Sequence, residues 1–159
     1  MITVNMMTPT PLIELFSQSI DTITFNVPEA PRGKARPRVV RNASHVYTPD
    51  PFGWCASVTG YALKAVGTSR WILTEEPVRL KVDIVRRIPI GTSKKKTAKM
   101  LGKRVGTKPD LINIIAAICD SLEHVVYKND LQVAQVEATR IWGTEHLTMI
   151  TVSKINVNG

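Results

Sequence analysis

Hydrophobic and polar residues alternate along three segments of the chain, and this period of two predicts β-strands. The alternating segments are residues 22–27, 78–84 and 134–138, and the second strand is predicted to end near Pro89. In the first of them Ile23, Phe25 and Val27 share one side, as expected for a strand with one buried face. Residues 147–155, rich in β-branched side chains, predict a last strand, and residues 125–127 predict a short extended segment.

Three further segments carry the spacing and the end signals of helices. Asp50 is a suitable N-cap followed by a proline, and apolar residues recur at helical spacing as far as Val66. The residues at that spacing are Phe52, Cys55, Thr59, Ala62, Leu63 and Val66. A longer amphipathic pattern predicts a helix over residues 111–124, capped by Asp110. Residues 93–101 predict a short helix, capped by Ser93, with a strongly basic face.

The composition is that of one folded domain. At 159 residues the chain is too short for two domains with full cores, and 43% hydrophobic and 21% charged residues are typical of globular proteins. No apolar run approaches the roughly 18 residues of a membrane span, and the first residues lack a secretion signal. Cys55 and Cys119 cannot build a disulfide framework, so we expect packed, reduced thiols in a cytosolic protein. We expect Trp54, Trp71 and Trp142 to lie in the core or an interface.

Positive charge is concentrated in two parts of the chain. Lys and Arg number 21 against 13 Asp and Glu, a formal net charge of +8, so nucleic acid is the leading candidate partner. Residues 28–38 combine three prolines with four cations and predict a stiff, extended segment able to lie along phosphates. Residues 94–108 add seven cations. The residues predicted to form a DNA-binding, phosphate-contacting rim are Lys34, Arg36, Arg38, Lys94, Lys95, Lys96, Lys103, Arg104 and Lys108.

Asp110 and Asp130 are the candidate metal ligands and catalytic residues. The predicted helix 111–124 spans about 21 Å and an extended return over residues 125–130 covers about 20 Å, so the two carboxylates can meet. Such a pair suits Mg²⁺, which keeps several waters and completes its shell with substrate phosphate. In a basic protein this combination indicates phosphodiester cleavage. Considered singly, the same residues are a helix cap and a turn residue.

Asp120 lies in the middle of the same predicted helix. At 1.5 Å per residue its position along the axis is about 15 Å from that of Asp110. It therefore cannot share one ion with Asp110, and we interpret it as a solvated, capping or dimer-contact residue.

Short sequences around these acids occur in a recognisable order. Near the acids they are KPDLIN at residues 108–113, CDSL at 119–122 and VVYKNDLQV at 125–133. Upstream they are GKARPR at residues 33–38, YTP at 47–49, and IP at 88–89 with SKKK at 93–96. Together they resemble the signature of RusA-type Holliday junction resolvases, over about residues 22–155.

The resemblance implies a Mg²⁺-dependent endonuclease, with Mn²⁺ able to substitute, that makes paired nicks in four-way DNA junctions. It further implies a homodimer of phage or prophage origin, acting in DNA recombination and repair in the bacterial cytoplasm near the nucleoid, with no membrane partner. The expected fold class is α+β: a single RusA-like domain in which a small mixed sheet packs against two main helices. We place this domain at residues 22–159 and an N-terminal extension or arm at residues 1–21.

The chain departs from that family's pattern at the expected active site. Ile112 stands where the family has a second aspartate, Ala116 where it has a lysine, and Asn129 where it has the first acid of a pair. Ile112, Ala116 and Cys119 fall on one helical stripe, which has become apolar. The acid and the base have thus been lost together, which avoids an unpaired charge.

These departures leave several interpretations open. The protein could be an active nuclease whose missing ligand is replaced by Glu123 or Glu137, or a weak enzyme using one metal ion. It could also be a catalytically inactive relative that binds branched DNA without cleaving it. An alternative of another class is a basic RNA- or protein-binding module.

Overall fold

The computed structural model describes residues 21–42 and 45–155, so that the predicted arm at residues 1–21 lies almost wholly outside the described residues. Its helices and strands follow in the order β1 (Thr22–Val27), β2 (Arg38–Val39), β3 (Val46–Tyr47), α1 (Trp54–Thr68), β4 (Val78–Arg87), α2 (Lys94–Met100), α3 (Leu111–Leu122), a 3₁₀ helix (Asp130–Gln132), β5 (Val133–Gly143) and β6 (Leu147–Lys154). Among the described helices none is long and apolar enough to cross a membrane.

Four strands form one mixed sheet in the order β1-β6-β4-β5. Strand β6 is antiparallel to both β1 and β4, whereas β4 and β5 run parallel. Since parallel neighbours need a long crossover, the chain between β4 and β5 has room for α2 and α3. Strands β2 and β3 form a separate two-residue antiparallel ladder.

The core lies between one face of this sheet and the two longer helices. On β4 every second residue from Val78 to Ile84 is buried, as the alternating sequence predicts. Helix α1 buries Trp54, Val58 and Ala62, and α3 buries its own apolar stripe against the same core. The predicted α+β fold with a mixed sheet and two main helices is therefore confirmed, and all three tryptophans are buried.

Helix α1 begins later than the sequence predicts. Residues Asp50 to Gly53 form a turn, closed by the hydrogen bond from Gly53 N–H to the Asp50 carbonyl, and Gly53 takes a left-handed φ of 65°. Asp50 still caps the helix, because its Oδ2 accepts from Ala56 N–H at 3.0 Å. Because the helix begins later, its buried face differs from the predicted one. Phe52 is 67% exposed, and Trp54 is buried instead.

Three other boundaries differ from prediction. Helix α3 ends at Leu122, and Asp130 opens a 3₁₀ turn instead of ending an extended segment. Strand β5 extends beyond its alternating core as far as Gly143, whereas β4 ends at Arg87, close to its predicted end near Pro89. The predicted caps are confirmed: Ser93 Oγ accepts from Lys96 N–H and Asp110 Oδ1 accepts from Ile112 N–H.

Candidate functional site

A cleft of about 900 Å³ opens where the N-terminus of α3 meets the start of α1 and the extended segment after β1. Its wall carries four cations, Arg32, Lys34, Arg86 and Lys108, and three acids, Asp50, Asp110 and Asp120. Two of the nine predicted phosphate-binding cations and one of the two predicted metal ligands therefore line one cavity. A concave site with several charged groups is the usual form of a binding or active site.

Asp110 is presented at the lip of this cleft by the first turn of α3. Its Oδ1 accepts a hydrogen bond from Ile112 N–H at 3.3 Å, which is the N-cap bond that the sequence predicts. Within residues 21–42 and 45–155, nothing donates a hydrogen bond to its other oxygen, and the residue is exposed. The carboxylate thus keeps one oxygen available for a ligand.

Two arginines fix the loop that leads into Asp110. Arg86 Nη1 donates to Thr107 Oγ1 at 3.0 Å and also to the carbonyl of Lys108. Arg140, which is buried, donates through Nη1 to the carbonyl of Pro109 and through Nη2 to that of Val105 at 3.2 Å. The two carbonyls before Asp110 are therefore held by guanidinium groups, and this places the carboxylate.

The basic segment after β1 is docked directly on α3. Lys34 N–H donates to the Asn113 carbonyl at 3.2 Å, and Asn113 Nδ2 donates to the Lys34 carbonyl at 3.2 Å. The backbone at Gly33 approaches so closely that a Cβ there would lie 2.5 Å from Asn113 Nδ2. A side chain at this position would force the Asn113 amide to move, so glycine favours this contact.

Lys34 and Asp120 form an ion pair inside the cleft, with both side chains about 40% exposed. The hydrogen bond to Asp120 raises the pKa of Lys34, against the opposing effect of burial, and the charges of Asp120 and Asp130 raise it further. Asp120 is thus exposed, in agreement with the interpretation as a solvated residue, and it is also the partner of a cleft lysine. Lys34, predicted to contact phosphate, is therefore held by a carboxylate of the cleft.

Asp130 lies outside the lining of the cleft. Its charge contributes to the raised pKa values of Lys34 and Cys119. Asn129 caps its 3₁₀ turn by accepting from Leu131 N–H at 2.9 Å, so the exposed carboxylate is carried on a defined turn.

The acids of the site are too few for a metal centre built from protein ligands alone. Among the described residues, no group of three or more His, Cys, Asp or Glu side chains could hold a metal ion. Ile112, where the resemblance implies a further aspartate, is 78% exposed, and Ala116 is half-buried. Such a donor set fits Mg²⁺, which accepts one or two carboxylates and keeps most of its water.

Neither predicted substitute ligand lies in the cleft. Glu123 follows the last residue of α3, about 20 Å along the axis from Asp110, and is out of reach of an ion held there. Glu137 is exposed on β5, opposite Lys81 in the strand register.

The remaining predicted cations lie outside the cleft lining and face solvent. They are Arg36, Arg38, Lys94, Lys95, Lys96, Lys103 and Arg104. Sequence analysis missed two cleft cations, Arg32 and Arg86, although Arg32 belongs to the predicted extended segment. The signal for Arg86 was the break in alternation at the end of β4, where Arg86 and Arg87 follow one another.

The two cysteines are free and half-buried, as predicted. Burial raises the pKa of the Cys55 thiol, which lines the cleft, and that of the Cys119 thiol. Both stay protonated at neutral pH, so neither is a nucleophile.

Comparison with known proteins identifies the class. Residues 28–153 match the model of the family described as Endodeoxyribonuclease RusA, and the chain belongs to this family. This membership supports a nuclease over a basic RNA- or protein-binding module. The chain is also 28% identical over 141 residues to the uncharacterized protein YqaN of Bacillus subtilis (strain 168), a match covering 86% of this chain and 99% of that protein.

Proposed function

We propose that this protein binds four-way DNA junctions and nicks them with the help of Mg²⁺, for which Mn²⁺ can substitute. The observation that carries the proposal is Asp110: its carboxylate has one oxygen without a partner among the described residues and lines a cleft with four cations. An acid for a hard cation beside groups that attract phosphate is the combination that metal-assisted phosphodiester cleavage needs.

Asp110 and Asp130 are the residues that would hold the metal ion. When bound, Mg²⁺ polarises the phosphate and lowers the pKa of a bound water. Around it, Arg86 and Arg140 hold the loop before Asp110, and Lys34 balances the charge of Asp120. Lys108, exposed on the cleft wall, is free to contact the DNA backbone.

Paired nicks in a junction require two sites related by symmetry. We therefore extend the proposal to a homodimer, since a two-fold dimer matches the pseudo-two-fold symmetry of a four-way junction. Recognition would rest on phosphate positions and not on base edges, so affinity should fall steeply with salt.

A second candidate function is junction binding without cleavage. It is favoured by Ile112, which puts an exposed apolar side chain where the family resemblance implies a metal ligand. It is also favoured by the lack of any three-ligand group among residues 21–42 and 45–155. Both candidate functions use the same exposed cations for DNA binding.

One experiment separates the two candidates. A labelled four-way junction is incubated with the protein in Mg²⁺ or Mn²⁺ to measure nicking, and its affinity is measured by gel shift in EDTA. Asp110→Asn is the test variant, because asparagine keeps the N-cap but loses the charge. Glu76→Gln, which changes an exposed acid outside the cleft, is the matched control.

Junction-specific binding with metal-dependent nicking, lost in Asp110→Asn and kept in Glu76→Gln, supports the nuclease. Junction-specific binding that is not accompanied by nicking in either Mg²⁺ or Mn²⁺ supports the second candidate, binding without cleavage. No preference for a junction over duplex DNA of equal length contradicts both.

A further inference from the structure

Three arginines converge at the part of the cleft next to Asp110. Arg32 and Arg86 both line the cleft, and Arg140 lies behind the loop that Arg86 also binds. Desolvation, followed by the charges of Arg140 and Arg32, lowers the pKa of Arg86. The Arg86 guanidinium is therefore close enough to those of Arg140 and Arg32 to be repelled by both.

None of these arginines has a carboxylate partner in the described part of the chain. The ion pairs found there are Lys34–Asp120, Lys81–Asp83 and Lys128–Glu75. Asp50 and Asp110, the other two acids of the cleft, accept hydrogen bonds from backbone N–H groups instead. Like charges held together without a counter-charge are unfavourable, so the cluster is suited to an external anion.

The arginines also have unused hydrogen-bond donors. Arg86 uses only Nη1 for the loop, and no described group accepts from its Nε or Nη2. Arg140 is 7% exposed, and its Nε is buried without an acceptor among the described residues. The Arg32 guanidinium lies over the ring of Phe52 at 4.0 Å, a stacking contact that leaves its N–H groups at the edge free.

We infer that Arg32 and Arg86 form a subsite for a single phosphodiester of the bound DNA strand, immediately beside Asp110, with Arg140 as the positioning residue behind it. That the anion belongs to DNA rests on the proposed function. The exposed Phe52 ring, covered on one side by Arg32, orients that guanidinium toward the cleft.

Chemistry and position both favour phosphate at this place. A guanidinium offers a planar fork of donors that matches two phosphate oxygens, and two such forks can bind one phosphodiester from two sides. Arg86 and Arg140 bind the carbonyls of Lys108 and Pro109, the two residues that precede Asp110. A phosphate at Arg86 therefore lies next to the carboxylate proposed to hold the metal ion.

The test uses Arg32→Gln, Arg86→Gln and the double variant of the full chain. Arg32→Gln removes no described hydrogen bond, so it keeps the test valid even if loss of Arg86 disturbs the loop. Arg79→Gln is the matched control, because Arg79 is exposed at the other end of β4, about 23 Å from Arg86, and donates to Gln135. Melting temperatures establish that each variant is folded.

Affinity is measured in EDTA at several salt concentrations for two probes, a four-way junction and a 12-nucleotide oligothymidylate. We expect each single substitution to weaken binding of both probes about tenfold and to lower the slope of log affinity against log salt by about one. The double variant should lower the slope by about two, and Arg79→Gln should leave it unchanged.

The two probes separate this inference from the proposed function. If the wild-type protein does not prefer the junction, the proposed function fails, but a lower slope with oligothymidylate still supports the phosphate subsite. If folded Arg32→Gln and Arg86→Gln bind both probes with the wild-type slope and affinity, the subsite is overturned, whatever the junction result. Inorganic phosphate is the control for a free anion: competition at micromolar concentrations would mean that the site binds the ion itself and would overturn a DNA phosphodiester subsite.

Discussion

Lys34 and Asn113 exchange two hydrogen bonds, one in each direction, each 3.2 Å long. They join the extended basic segment after β1 to the first turns of α3, although the residues are 79 positions apart in the sequence. One side of the cleft is therefore brought to Asp110 by a single asparagine. The ion pair of Lys34 with Asp120 and the stacking of Arg32 on Phe52 hold the same segment.

Gly33→Ala tests this contact. The added Cβ would lie 2.5 Å from Asn113 Nδ2, so the amide must turn away and lose its hydrogen bond to Lys34. We expect the free energy of unfolding to fall by about 1 kcal/mol, the contribution of one such bond, and junction affinity to fall with it. Denaturant unfolding and gel shift measure the two effects.

Gly60→Ala is the control for that substitution. Gly60 lies inside α1, and a Cβ there would meet no atom within 4 Å. Alanine should therefore stabilise the helix by about 0.5–1 kcal/mol and leave DNA binding unchanged. If Gly33→Ala behaved in the same way as Gly60→Ala, the docking contact would have no energetic role.

The Lys34–Asp120 ion pair should stabilise the protein in a pH-dependent way. Because the pKa of Lys34 is raised in the folded state, its contribution is fully present below the unfolded pKa of 10.5 and is lost as pH rises through the folded pKa. Both side chains are about 40% exposed, so screening limits the effect to about 0.5 kcal/mol. We expect Lys34→Met to be less stable than wild type by this amount at pH 7 and in low salt.

The difference between Lys34→Met and wild type should shrink as pH rises through the folded pKa of Lys34, and also in 1 M salt, as measured by denaturant unfolding. Asp120→Asn should show the same loss of stability relative to wild type, with the same dependence on pH and salt. A difference independent of both pH and salt would show that Lys34 contributes through packing alone.

The elements near the site could largely be predicted from the sequence. The alternation at Ile23, Phe25 and Val27 is the burial pattern of β1, and both Ser93 and Asp110 cap the predicted helices. These features are local, because a period of two or a cap depends on residues a few positions apart. The predicted start of α1 was wrong, because Gly53 takes a left-handed conformation and the turn that it forms leaves Phe52 exposed to solvent.

The composition of the cleft could be predicted only in part. Lys108 and Asp110 are neighbours in a motif, so their proximity follows from the sequence. The pairing of Lys34 with Asp120 and the binding of Lys108 and Pro109 carbonyls by Arg86 and Arg140 depend on the tertiary packing of segments far apart in the chain. The convergence of Asp110 and Asp130 on one metal ion stays a prediction.

Ile112→Asp should strengthen metal binding. Ile112 is 78% exposed and two residues from Asp110, so an aspartate there costs little stability and adds a carboxylate at the N-terminus of α3. We expect the affinity for Mn²⁺ to rise about tenfold and any metal-dependent nicking to rise with it. Ile90→Asp, at an 86% exposed position outside the cleft, is the control for added charge. Equal gains in both variants would contradict a site near Ile112.

The basic face of α2 should contact DNA outside the cleft. Lys95 and Lys96 are exposed on this helix. Replacing both with alanine should lower the slope of log affinity against log salt by about one to two, because fewer counterions are released. Gel shift at several salt concentrations measures the slope. Lys64→Ala, which changes an exposed lysine on α1, is the control. A slope unchanged from wild type would remove α2 from the DNA-binding surface.

The proposed nuclease function depends most directly on Asp110 and Asp130 holding a common metal ion. Titration of Mn²⁺ into the junction-bound protein, followed by electron paramagnetic resonance, measures this for wild type, Asp110→Asn and Asp130→Asn. We predict one bound ion per chain in the wild type and at least about tenfold weaker binding in each variant. Wild-type affinity in either folded variant would contradict a shared metal site.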